Sequence, residues 1–69
     1  MRTPLLHKEF TDAITGNQCA VGVDKNGNRY EIVQYGENVH VGLLLSSGWV
    51  SFIENATIAD MVERFHGEG

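Results

Sequence analysis

A second cysteine is missing from this sequence. Cys19 stands alone among 69 residues, which excludes a disulfide within the chain, and no Cys/His spacing offers a structural zinc site. Long apolar runs are missing too: none outlasts Leu43-Leu44-Leu45, far short of the roughly 20 residues that a membrane-spanning helix needs. Met1-Arg2-Thr3-Pro4-Leu5-Leu6 runs straight into His7-Lys8-Glu9, so no apolar stretch of export-signal length is expected. With an unpaired thiol, this predicts a cytoplasmic protein.

Positive charge is sparse. Five Lys and Arg stand against nine Asp and Glu, a formal net charge of −4, and Arg2, Lys8, Lys25, Arg29 and Arg64 form no cluster. A generic grip on nucleic-acid phosphates needs such a cluster. The acids form no run either, which removes a strong case for nucleic-acid mimicry.

What is present is ordinary globular material, 42% hydrophobic and 20% charged. One domain over residues 1–69 is expected. A chain of this size buries only about 60% of its unfolded surface, so its core just suffices. With disulfides and metals set aside, oligomerisation is the expected further support.

Thr3-Pro4 offers an N-cap and a first-turn proline. Leu6, Phe10, Ala13 and Ile14 follow at helical spacing, and Gly16 can end the segment. A helix over residues 4–15 is predicted.

Three hairpins are expected after it. Asn26-Gly27 is a strong type I′ signal; centred there, the turn pairs Asp24 with Arg29, Val23 with Tyr30 and Val21 with Ile32. A turn at Gly36-Glu37 sets Ile32 opposite Val41 and Tyr30 opposite Leu43. Ser47-Gly48 then folds Val39–Leu45 onto Trp49–Ile53, with Leu45 facing Val50 and Leu43 facing Phe52. Chosen on local chemistry alone, the turns return one continuous apolar sheet face.

Ile58, Met61, Val62 and Phe65 recur at i, i+3, i+4 and i+7, and Thr57 with Asp60 forms a capping-box pattern. A second helix is predicted there. The fold class is therefore α+β, in the order α-β-β-β-β-α: a four-stranded antiparallel meander flanked by an N-terminal and a C-terminal helix. Leu6, Phe10, Ile14, Ile58, Met61, Val62 and Phe65 are expected to pack on one sheet face.

The opposite face is assigned Ala20, Gly22, Asp24, Arg29 and Glu31, together with Val33, Tyr35, His40, Gly42, Leu44, Trp49, Ser51 and Ile53. Large apolar groups beside small ones permit close approach by another surface. Two readings follow: a helix covers each face, or the second face binds a partner. Val33, Tyr35, His40, Leu44, Trp49 and Ile53 are the expected binding residues.

No enzymatic chemistry stands out. Ser46-Ser47-Gly48 lacks the strand-turn-helix context of a nucleophile elbow. Asp24-Lys25-Asn26-Gly27-Asn28 departs from a calcium loop in its early Gly and in Tyr35 at the place of the closing Glu. His7, His40 and His66 lie on separate predicted elements without metal-ligand spacing, and Cys19 is expected to face the core as a small hydrophobe. Neither catalytic residues, cofactor nor metal are expected.

An N-terminal helix followed by a short, bent antiparallel sheet resembles the order of Sm-like RNA-binding proteins, which form rings of small barrels. The resemblance implies an alternative fold, a small Sm-like or SH3-like β-barrel with an N-terminal helix. It also implies an alternative function, an oligomeric nucleic-acid-binding module with Tyr35 and Trp49 available for stacking. The chain departs from that pattern in placing a helical segment where the last strand of that family falls, and in lacking a matching RNA-binding motif. The leading expectation is a small non-enzymatic protein that binds another protein, or copies of itself, as a regulator or inhibitor.

Overall fold

Residues 7–67, the part of the chain that the computed structural model describes, form five strands and one helix. These are β1 (His7–Thr11), β2 (Gln18–Val23), β3 (Arg29–Tyr35), β4 (Asn38–Leu45), β5 (Gly48–Glu54) and α1 (Ile58–His66). The strands pair in chain order, each antiparallel to the next.

The expected N-terminal helix is replaced by a strand. His7, Glu9 and Thr11 alternate with Lys8 and Phe10 along β1, opposite Gly22 to Gln18 of β2. Asp12 then bends the chain: its Oδ1 accepts from the amides of Ile14 at 2.8 Å and Thr15 at 3.3 Å, and its carbonyl accepts from Gly16 N–H at 2.8 Å. These local bonds compete with a helix ladder, while the edge of β2 supplies the sheet partners that a short isolated helix lacks. Of the residues assigned to the helix stripe, Ile14 is 92% exposed and Phe10 points away from α1, while Leu6 and the Thr3-Pro4 start lie outside the described residues. The alternative of a barrel with an N-terminal helix fails on the same residues.

The first predicted hairpin is offset by one residue. Val23 pairs with Arg29, Gly22 with Tyr30 and Ala20 with Ile32. Asp24 N–H donates to the Asn28 carbonyl and Gly27 N–H to the Asp24 carbonyl, which leaves an odd, three-residue loop closed by Gly27 at φ +89°. This is a turn with a bulge rather than a type I′ turn. Asp24 holds it by accepting from the amides of Asn26 and Asn28, so the expected Asp24–Arg29 pair does not form. The slip turns β2 over: Ala20 and Gly22 face the core, and Cys19, Val21 and Val23 face the other way.

Gly36-Glu37 makes the expected turn, pairing Ile32 with Val41 and Tyr30 with Leu43. The last turn falls on Ser46-Ser47, two residues from the predicted register, so Leu45 pairs with Gly48 and Leu43 with Val50. An even shift preserves the faces. Val41, Leu43, Val50 and Phe52 still share one.

Helix α1 begins at Thr57, whose side chain accepts from Asp60 N–H while the Asp60 carboxylate accepts from Thr57 N–H. Gln34 of β3 fixes its start on the sheet: Oε1 accepts from Ile58 N–H at 2.9 Å and Nε2 donates to the Ala56 carbonyl at 3.0 Å. Ile58 and Met61 complete a buried core with Ala20, Tyr30, Ile32, Val39 and Val41, and Val62 and Phe65 pack against it. At the far end Lys25 N–H donates to the Phe65 carbonyl, tying the first hairpin to the helix. One face of the sheet is thus covered along β2 and β3.

Candidate protein-binding face

The second face of the sheet has no helix over it among the described residues. The registers align its side chains in rows across the strands. One row runs Phe10, Cys19, Val33, His40, Ile53; the next runs Lys8, Val21, Glu31, Gly42, Ser51; a third runs Val23, Arg29, Leu44, Trp49. The six predicted binding residues all lie on this face. Val33, His40 and Ile53 share a row, Leu44 pairs with Trp49, and the Tyr35 ring lies 6.3 Å from that of His40.

Trp49, Ile53, Tyr35 and Phe10 are exposed, with Ile53 at 65% and Trp49 at 55%. Val33 and Leu44 are half-buried by their neighbours. Trp49 reaches across to Gly42, where a Cβ would stand 3.6 Å from the ring. Lys8 on edge strand β1 and Arg29 at the start of β3 place charge at the border of the face, and exposed Glu31 places a carboxylate in its middle row, on the central strand β3.

The slip in β2 corrects the predicted composition. Ala20 and Gly22 leave this face, and Cys19, Val21 and Val23 join it, so it is more apolar than expected. Cys19 is buried as expected of a small hydrophobe, but between Phe10 and Val33 rather than in the core. Phe10 was missed because its helical spacing to Leu6 and Ile14 hides its strand alternation with Lys8 and Glu9.

No sequence signal announces the polar chain that runs from the buried Tyr30 hydroxyl out to the exposed Glu9 on the covered side. Tyr30, 1% exposed, has its hydroxyl 2.8 Å from His7 Nδ1 and 2.6 Å from His66 Nε2, while His7 Nε2 lies 3.0 Å from the Glu9 carboxylate. One proton ordering satisfies all of them: His7 Nε2–H donates to Glu9, Tyr30 O–H donates to His7 Nδ1, and His66 Nε2–H donates to the phenol oxygen. Burial, then the charges of Glu9 and Asp24, raise the Tyr30 pKa above its ordinary value. The chain joins β1, β3 and the end of α1. Its buried phenol, wedged against Phe65 with ring centroids 4.8 Å apart, is built as a structural clamp.

At the margin of the two faces a shallow groove is lined by His7, Lys8, Val21, Gly22, Val23 and Arg29. Among the described residues no three His, Cys, Asp or Glu side chains converge to hold a metal ion. No described helix is long and apolar enough to cross a membrane. Comparison of the chain with protein-family models, with curated proteins and with solved structures finds no match in any of the three.

Proposed function

We propose that this chain is a small non-enzymatic binding protein that acts through its open sheet face on another protein or on a second copy of itself. The observation that carries the reading is the row Phe10, Cys19, Val33, His40, Ile53, apolar but for one histidine and crossing all five strands without a covering element among the described residues. A solvated face alternates polar residues outward; here Trp49, Tyr35, Ile53 and Phe10 project instead. Trp and Tyr favour interface centres, where they contribute large area at low entropic cost. A regulator or inhibitor works by such contacts alone. A cytoplasmic setting is part of the reading and rests on the lone thiol of Cys19.

The groove flanked by Lys8 and Arg29 favours a second reading, in which assembled copies bind single-stranded nucleic acid with Trp49 and Tyr35 as stacking platforms. The net charge of −4 ranks it second.

The experiment is a charge placed at the centre of the face. Val33→Lys combined with Ile53→Lys should leave the circular dichroism spectrum unchanged while removing self-association in light scattering and capture of whatever protein the parent captures from its host. A folded double variant that retains both eliminates the face as the working surface. Salt-dependent retention of single-stranded RNA or DNA by the parent promotes the second reading.

A further inference from the structure

We infer that β5 is a pairing edge for a second copy of this chain, and that two copies join there, antiparallel, about a two-fold axis at Ser51. The inference goes beyond the binding face, because it rests on backbone groups at the edge of the sheet.

β5 is the last strand in the sheet order, with β4 as its sole strand neighbour among the described residues. Its sequence, Gly48-Trp49-Val50-Ser51-Phe52-Ile53-Glu54, carries no Lys, Arg or Pro. Charged residues, Lys above all, and Pro ordinarily protect an open edge, and the single charge of β5, Glu54, stands at its last position. The opposite edge, β1, is shorter and carries Lys8 and Glu9. Exposed large apolar side chains concentrate on β5: Trp49 and Ile53 on the open face, and Val50, 42% exposed, on the other. Pairing of this edge with the same edge of a second copy uses up both edges, so a two-fold contact closes at two copies.

The register follows from the hairpin. Leu45 and Gly48 flank the two-residue loop Ser46-Ser47, and the pair flanking such a loop is hydrogen-bonded. Alternation along the ladder then turns the amides and carbonyls of Val50 and Phe52 toward β4, and those of Trp49, Ser51 and Ile53 outward. Centring the axis on Ser51 matches every outward residue: Trp49 meets the partner's Ile53, Ser51 meets the partner's Ser51, and Ile53 meets the partner's Trp49, giving roughly six backbone hydrogen bonds. Centring it on Val50 or Phe52 leaves one outward residue unmatched. On the covered side the Ser51 register sets Val50 against the partner's Phe52, and it sets Glu54 against the partner's Gly48 rather than against a second carboxylate.

Helix α1 packs over β2 and β3, and its Arg64 reaches the last residue of β5, with Nη1 3.0 Å from the Glu54 carboxylate on the covered side, which leaves the outward backbone groups of Trp49, Ser51 and Ile53 clear of that ion pair. The pairing makes one sheet of both copies and doubles the open face, with Trp49 and the partner's Ile53 side by side at its middle.

Ser51→Pro tests the pairing. Proline removes an outward N–H and is tolerated on an edge strand, so this variant should keep the parent's circular dichroism and weaken the dimer in sedimentation equilibrium by at least about ten-fold in dissociation constant. A second measurement on the parent does not depend on the variant folding: in amide exchange above the dimerisation concentration, Trp49, Ser51 and Ile53 should be protected, and dilution should remove that protection. A parent that is monomeric at all concentrations overturns the inference. So does a dimer that Ser51→Pro leaves intact, which transfers self-association to the open face, and so do edge amides that exchange freely in a dimer. Val33→Lys alone, on β3 and two strands from this edge, separates the two surfaces: a dimer that it leaves intact is held by the edge, and a dimer that it dissolves is held by the open face and overturns the inference.

Discussion

Trp49 lies across Gly42, its ring 3.6 Å from the position that a Cβ on Gly42 would take. The two sit diagonally on neighbouring strands, since Trp49 pairs with Leu44 and Gly42 with Ser51. An aromatic ring laid over a strand glycine shields backbone that the missing side chain leaves bare. The separation is ordinary van der Waals contact, so a methyl group fits beneath the ring without moving it.

Gly42→Ala is therefore expected to stabilise the fold by about 0.5 kcal/mol, the entropic penalty of glycine in a strand being recovered without a clash. Urea unfolding followed through Trp49, the sole tryptophan, measures both the midpoint and the ring's surroundings. A lowered midpoint or a shifted native emission would mean that the ring is closer than the geometry gives.

Gly27→Val is expected to destabilise by about 1–2 kcal/mol, the cost of a left-handed conformation for a residue with a branched side chain. Gly27 stands at φ +89° with open space around it, so the penalty is backbone strain alone. Gly27→Asn should cost distinctly less, because Asn tolerates that region. Equal midpoints for the two variants in thermal unfolding would contradict the turn.

What the sequence discloses follows from which signals are local. Gly36-Glu37 fixes its own register because only a two-residue loop fits between Tyr35 and Asn38, and Thr57 with Asp60 announces α1 because a capping box is complete within four residues. The composition of the open face was legible for β3, β4 and β5, since the shift at Ser46-Ser47 was even. It was not legible for β2. Asn-Gly serves both a two-residue and a three-residue loop, and the choice was made by Asp24, whose carboxylate binds the amides of Asn26 and Asn28. β1 was misread because helical spacing and strand alternation coexist in so short a segment, and the Asp12 turn decides between them. His7, Tyr30 and His66 meet only through tertiary folding, and no spacing rule anticipates such contacts.

The clamp at Tyr30 sets an alkaline limit on stability. Burial is the chief cause that raises its pKa in the folded chain above the ordinary 10.0, so the folded state holds the phenolic proton more tightly than the unfolded state. The resulting stability is full below the unfolded value and is lost as pH rises through the folded one. Denaturant titrations between pH 8 and 11 should thus show a fall in unfolding free energy above about pH 10 that Tyr30→Phe makes shallower. The comparison is of slopes, since the variant also strands His7 and His66. Parallel slopes would show that the phenol ionises without resisting.

Trp49→Ser is the variant in which folding and association part. Trp49 is 55% exposed and lies over Gly42 on the surface of the sheet, so its removal leaves a surface notch rather than a buried cavity and should cost the monomer less than about 1 kcal/mol. In the interface the same ring faces the partner's Ile53 across the two-fold edge and stands at the middle of the doubled open face. Truncating a tryptophan in such a position costs binding about 2 kcal/mol or more. Circular dichroism and light scattering over a concentration series, read on the same samples, should give an unchanged spectrum and a dissociation constant raised by at least about thirty-fold. If the variant unfolds, the ring belongs to the fold rather than to an interface; if it keeps both its structure and its association, the contacts that matter lie away from β5.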